Sequence, residues 1–284
     1  MPPDGILRRC LLALRQRLLP SPIVCLAQTE RGPGPANLLL LGRNVLVTGA
    51  GRNIGRSIAL EMAHEGASIY FTDLDQAAVA RLQGELATSG TRTRGLVSDV
   101  SKASDINALY AFLHAEGVIV DILVNNVGVA RGGGLQTLTM ADLHAVFDTN
   151  VVGPLQLTQY VIKTLIAGAR PGTVLFISSV HDRSTGSSLA YAASKAAIAM
   201  IVRQLAFELA PHRIRVNGIA PGAVDVNAKN QLPPSPGSML VGSCIHPSYI
   251  GRAAVYLASD YFSQFTTGSM LTVDAGLLTR PQNQ

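Results

Sequence analysis

A short apolar run, Asn44-Val45-Leu46-Val47-Thr48, passes straight into Gly49-Ala50-Gly51-Arg52-Asn53-Ile54-Gly55. Behind the glycines, Ile54, Ile58, Ala59, Met62 and Ala63 recur on one helical stripe. Strand, glycine turn and helix in that order restrict the chain strongly, because a reversal so tight leaves no room for ordinary side chains. The pattern then repeats. Strand-like runs at 67–72, 92–97, 122–125, 173–177, 215–219 and 270–273 alternate with helical stretches. Such alternation predicts an α/β fold: a single doubly wound parallel sheet of about seven strands with helices on both faces. Ligands gather at the carboxyl ends of the strands in such sheets, and the chemically suggestive residues mostly fall there.

The glycine turn is the first of them. Gly49, Arg52, Asn53, Ile54 and Gly55 present backbone N–H groups and a helix start, which suit a pyrophosphate; an ordinary tight turn is the plainer alternative. Asn53 stands where a glycine is usual. Asparagine tolerates a left-handed backbone best after glycine, and its side chain either crowds a cofactor or donates to it. Asp73 follows Gly49 by 24 residues, where a carboxylate accepts from both ribose hydroxyls and repels an extra phosphate. That charge favours NAD over NADP. Arg52 pulls the other way, since a guanidinium suits a 2′-phosphate. The plainer reading of Asp73 is a cap for the helix starting near Asp75.

Tyr191 and Lys195 are four residues apart, so on a helix phenol and ammonium share a face. A nearby positive charge lowers a tyrosine pKa from ~10 and makes a tuned general acid/base. Ser178 and Ser179 end the fifth strand run, where a hydroxyl can hold a carbonyl oxygen beside the tyrosine. Asn150 lies in a helical stretch that disfavours asparagine unless its amide is used.

Taken in order, Thr48-Gly49 to Gly55, Asp99-Val100, Asn125-Asn126-Val127-Gly128, Asn150, Ser178-Ser179, Tyr191 to Lys195 and Pro221-Gly222 resemble the short-chain dehydrogenase/reductase family of about 250 residues. The likeness runs from about Leu41 to Leu277. It implies a Rossmann-type fold and an NAD(P)-dependent oxidoreductase that interconverts a secondary alcohol and a ketone. By this resemblance Tyr191 is the general acid/base, Lys195 lowers its pKa and binds nicotinamide ribose, and Asn150 supports a proton path. The serine that orients oxygen usually stands 13 residues before the tyrosine, which is Ser178. The local Ser-Ser-Val pattern points to Ser179, which we take as the catalytic one. The likeness places Asp99 and Val100 at adenine, Gly128 at ribose, and Pro221, Gly222 and Val224 at the nicotinamide end. Asn125 and Asn126 read as mainly structural, with Asn126 also beside the cofactor. Val127 and Val226 depart from the usual alanine and threonine. Relatives also imply a homo-oligomer, dimer or tetramer.

Apolar residues make up 48% of the chain and charged ones 14%, which argues against disorder over most of it. In the first 42 residues five arginines (Arg8, Arg9, Arg15, Arg17, Arg31) face Asp4 and Glu30, so +3 of the net +5 sits there. The remainder is nearly balanced, and nucleic acid is not an expected partner. Residues 1–41 read as an extension with a basic amphipathic stretch and a proline-rich linker. A poorly ordered tail or an early start codon is the favoured reading; a transit peptide or a membrane-surface helix are the others. Residues 42–284 read as the catalytic domain. No run has the length of an integral membrane span, and a cytoplasmic enzyme is expected. Three cysteines and six histidines show no metal spacing.

The substrate is expected to be a small alcohol or carbonyl compound, with a sugar or polyol favoured because Ser178 to His181 resembles sugar dehydrogenases of the family. His181 either touches substrate or, the favoured reading, is a solvent-facing loop histidine. The segment from Ala223 to His246, rich in proline, reads as a lid. A 3-oxoacyl reductase working with NADPH and a non-catalytic NAD-binding regulator are the alternatives.

Overall fold

Each of the seven strand runs forms a strand in a computed structural model whose described residues are 38–225 and 245–279. They are β1 (Asn44–Thr48), β2 (Ser68–Asp73), β3 (Thr93–Val97), β4 (Ile122–Asn125), β5 (Gly172–Ile177), β6 (Ile214–Pro221) and β7 (Met270–Val273). All neighbours pair in parallel, in the order β3-β2-β1-β4-β5-β6-β7. The order reverses between β1 and β4, which is where a crevice opens in a doubly wound sheet.

The period-two alternation of the strands divides the core in two. On β1, Val45 and Val47 point to one face and Leu46 to the other; Ile69 and Phe71 against Tyr70 on β2, and Ile122 and Val124 against Leu123 on β4, repeat the split. The first face is covered by α1 (Asn53–His64), α2 (Gln76–Leu86) and α7 (Pro247–Ala258), through residues such as Ile58, Leu82 and Ile250. The second is covered by α3 (Ala103–Ala115), α5 (Gly153–Ala167) and α6 (Leu189–Leu209), through residues such as Leu109, Val161 and Val202. Two short helices complete the set, α4 (Met140–Phe147) and α8 (Asp260–Ser263). A five-residue π turn, Asp148–Val152, joins α4 to α5.

At the amino ends of the strands, charges are paired. Asp121 is 2% exposed; it accepts from Asn44 N–H at 2.9 Å and from Arg170 at 2.6 Å. Arg215 is buried and donates to the last carbonyls of α7, on Leu257 and Ala258, at 2.8 and 3.1 Å. Arg215 and Arg43 both reach Asp260, at 3.3 and 2.7 Å. The folded body already includes Leu40, which is buried and whose N–H bonds Glu65. Packing therefore starts before the expected boundary at 42; the rest of the expected extension lies outside the described residues. So do Val226 and most of the expected lid, whose ends meet where Val224 bridges Ile245. Among the described residues no helix is long and apolar enough to cross a membrane.

Candidate active site

β1 runs into a turn that explains its own residues. Gly49 has φ +62°, a left-handed value that glycine adopts freely. A Cβ on Gly55 would lie 2.2 Å from the Gly49 carbonyl oxygen, and one on Gly51 would lie 2.7 Å from Asp73 Oδ2. Asn53 opens α1 with φ +51°, the left-handed backbone that its identity led us to expect. Ile54 packs partly against the core. No side chain caps α1 and its first turn holds no acid, so the amides of Asn53, Ile54 and Gly55 have no capping partner among the described residues. An uncapped helix start behind a glycine turn fits the pyrophosphate of a dinucleotide. Arg52 is exposed there.

Other expected cofactor residues turn out to fasten this edge. Asp73 Oδ2 accepts from Gly51 N–H at 2.8 Å and Oδ1 from Asp75 N–H at 3.1 Å. It is not the cap of α2, because Asp75 fills that role by accepting from Ala77 N–H at 2.8 Å. Asn126 Nδ2 donates to the carbonyls of Thr48 and Gly49 at 2.9 and 3.0 Å, tying the glycine turn to β4. Asp99 accepts from Ser101 N–H and Oγ at 3.0 and 2.7 Å. Partial burial raises its pKa, but the Ser101 bonds and the Lys102 charge outweigh it and leave the carboxyl below its ordinary value. Val100 beside it is buried. The close approach that Gly128 allows is to Lys195, whose Nζ a Cβ there would meet at 3.1 Å. Pro221 ends β6, Gly222 N–H bonds Val273 O at 2.9 Å, and Val224 follows.

Tyr191 and Lys195 do sit on one helix, α6, with Lys195 Nζ 5.4 Å from the phenol ring centre. The ammonium is buried and donates to Ile177 O at the end of β5, 2.9 Å away. The two serines point apart, as neighbours on extended backbone do. Ser178 Oγ donates inward to Lys195 O at 3.2 Å. Ser179 reaches Tyr191 closely enough to lower its pKa. Asn150, 1% exposed, stands in the π turn. It accepts from Val129 N–H at 2.8 Å and donates to Val129 O at 3.0 Å and Ser194 Oγ at 2.9 Å. Ser194 Oγ donates in turn to Tyr191 O at 2.7 Å. The helix distortion is real, and its amide is fully employed.

One expectation is corrected here. Lys195 was expected to acidify Tyr191; instead burial dominates and pushes the phenol above its ordinary pKa, with Ser179 only partly offsetting it. Lys195 is itself driven down to about 8 by burial. Burial thus disfavours the charged form of each group.

Sequence reasoning missed one residue and ranked the wrong reading of another first. Ser194 is completely buried and links Asn150 to the helix carrying Tyr191. His181 is not a solvent-facing loop residue: it is partly buried, with its ring edge-on to Tyr191 at 6.1 Å and 72°. A serine inside Tyr-x-x-Ser-Lys was the only available signal for the first, and the Ser178 to His181 stretch was the signal for the second.

Comparison with known proteins identifies the family. A family model described as enoyl-(acyl carrier protein) reductase matches residues 49–278. The 7alpha-hydroxysteroid dehydrogenase of Escherichia coli is 34% identical over 249 residues, covering 84% of this chain and 96% of that protein. The chain belongs to the short-chain dehydrogenase/reductase family. As a member it is an oxidoreductase of the alcohol–ketone type that binds a nicotinamide cofactor. A second relative within the family, 3-oxoacyl-[acyl-carrier-protein] reductase of Chlamydia trachomatis, is 32% identical over 246 residues, covering 84% of this chain and 98% of its own. A gluconate 5-dehydrogenase from Burkholderia cenocepacia, solved in complex with NADP and tartrate, superposes with a TM-score of 0.78 at 29% identity, covering 86% of this chain and 99% of that one. The expected preference for NAD over NADP is therefore not sustained: a structural neighbour carries NADP, and both Asp73 oxygens already hold backbone amides while Arg52 stands exposed.

Proposed function

We propose that Tyr191 carries the proton in the interconversion of a secondary alcohol and its ketone, with Ser179, Lys195 and Asn150 as its partners. The observation behind this reading is the meeting of Ser179, Tyr191 and buried Lys195 at the carboxyl end of β5, on the same sheet edge as the uncapped start of α1. The glycine turn with Gly49, Arg52, Asn53, Ile54 and Gly55 would hold the pyrophosphate. Asp73 would meet ribose, Asp99 and Val100 adenine, and Asn126, Gly128, Pro221, Gly222 and Val224 would flank the nicotinamide half. When bound, the cofactor supplies the hydride acceptor or donor.

During reduction Tyr191 gives its proton to the ketone oxygen while the Ser179 hydroxyl donates to the same atom. During oxidation Tyr191 takes the alcohol proton. A pKa of about 8 leaves Lys195 mostly charged at neutral pH, so it stabilises the phenolate left after proton donation. Asn150 holds Val129 and Ser194, and through them sets the position of Tyr191. The raised pKa of Tyr191 favours the protonated phenol, which is the form reduction needs. Oxidation therefore rises as the medium becomes alkaline, and reduction does not.

Both NAD and NADP are expected to support turnover, since Asp73 suits one and Arg52 the other. A sugar or polyol is the substrate class we favour, supported by the Ser178 to His181 stretch and by the likeness to gluconate 5-dehydrogenase. A 3-oxoacyl substrate is the second reading, supported by the Chlamydia relative. We also propose a cytoplasmic homo-oligomer. The test is a turnover screen of sugars, polyols, steroids and hydroxyacyl thioesters with each cofactor at two pH values, for the wild type and Tyr191→Phe. The variant should lose at least a few hundredfold in turnover, roughly what a general acid/base supplies, and keep its cofactor affinity. Full activity in Tyr191→Phe would rule out the role.

A further inference from the structure

His181 has no part in the chemistry assigned to Ser179, Tyr191, Lys195 and Asn150, yet it stands among them. It lies in the one-turn segment Val180–Asp182 directly after Ser179, and its N–H donates to Ser179 Oγ at 3.2 Å. Its ring is edge-on to Tyr191, with centres 6.1 Å apart. Its Nδ1 lies 3.4 Å from Ser184 Oγ, and that hydroxyl gives its single proton to Val180 O at 2.9 Å. Towards the imidazole Ser184 Oγ can then only accept, so in neutral His181 the proton sits on Nδ1. Nε2 is left as an acceptor with no protein partner among the described residues, beside the phenol that handles the reacting oxygen.

We propose that His181 selects substrates bearing a second hydroxyl on the carbon next to the reacting one, by accepting that hydroxyl's proton in a hydrogen bond at Nε2. The substrate class is thus vicinal diols and the matching α-hydroxy ketones. This rests on the proton-carrying role proposed for Tyr191, which fixes where the reacting oxygen lies. The two oxygens of a vicinal pair sit on adjacent carbons, so rings whose centres are 6.1 Å apart can each bond one of them. A substrate with bare carbon at that place leaves a partly dry acceptor unpaired, and sites built around such a group discriminate more sharply than apolar pockets do.

The experiment compares kcat/KM for acetoin, an α-hydroxy ketone, with that for butanone, which lacks only the hydroxyl. It uses the full chain with saturating reduced cofactor. The wild type should favour acetoin by about tenfold or more. His181→Phe keeps an aromatic edge against Tyr191 and removes the acceptor; its ratio should fall to within about threefold of unity. His181→Leu, which also lacks the acceptor, is held to the same ratio should the first variant fold poorly. An unchanged ratio in the variants, an equal loss on both ketones, or a wild type indifferent to the hydroxyl would each overturn the role of His181 alone. Failure of the wild type to turn over any alcohol or ketone would instead remove the roles given to Tyr191, and the inference with them.

Discussion

The amino and carboxyl ends of the same sheet are built on opposite terms. At the amino ends, buried charges meet partners: Asp121 accepts from Arg170 and from the Asn44 amide, and Arg215 closes the end of α7. At the carboxyl ends, groups are held in states that folding alone disfavours. Among the described residues Lys195 is buried with a single carbonyl partner and a pKa of about 8, Asn53 is left-handed, and α1 is uncapped. One end is arranged for stability, and the other gives some of it up to keep donors and charges available. The same division is expected wherever a sheet must carry chemistry along one edge only.

The sharpest way to break this comparison is Lys195→Met. Loss of the ammonium should cost at least about a hundredfold in kcat. The same change should stabilise the fold by about 1–2 kcal/mol, since a pKa of about 8 in place of 10.5 corresponds to roughly 3 kcal/mol of burial penalty, offset by the lost bond to Ile177 O. The sign follows from proton binding. Between pH 8 and 10.5 the unfolded chain holds the lysine proton more tightly than the folded one. Stability of the wild type therefore rises with pH across that window, and in the variant this rise should be absent. Denaturant melts at several pH values, read beside kcat, would show a loss of stability instead if the lysine were a structural prop.

Asp121→Ala probes the other end. It strips Arg170 and the Asn44 amide of their acceptor and should cost about 2–3 kcal/mol in unfolding free energy. The kcat of the folded fraction should stay within about twofold, because no part of the site touches it. A large kcat loss in fully folded protein would mean that the two ends are coupled. The smallest expected effect sharpens the picture. Asn53→Gly should stabilise by about 0.5 kcal/mol by relieving the left-handed backbone, while cofactor affinity, measured by titration, moves less than about threefold. A greater loss would assign the Asn53 amide to the cofactor.

The strands were legible because β-branched runs alternating with helical stripes allow little else; β1, β4 and β7 begin and end where the pattern places them. Asn53 was legible for the same local reason, since its backbone preference belongs to the residue itself. Counting back from Tyr191 favoured Ser178, whereas the alternation of neighbouring side chains turns Ser178 inward and Ser179 toward the phenol. What stayed hidden depends on tertiary placement. Burial depth reversed the expected shift of Tyr191, and Asp73 proved to bind a backbone amide that the turn after β1 brings to it. His181 meets Tyr191 only because the turn after β5 folds back on α6.

The π turn at Asp148–Val152 has a further consequence, for how this chain can change over generations. Its wider winding accommodates one residue more than a regular helix would. Deleting that residue would rotate everything downstream by about 100° and swing Leu157, Val161 and Leu165 off the sheet. Point substitutions can alter what Asn150 does, but the winding that presents it is locked in by the length of the chain, and lineages carrying it can shed it only by rebuilding half of one face.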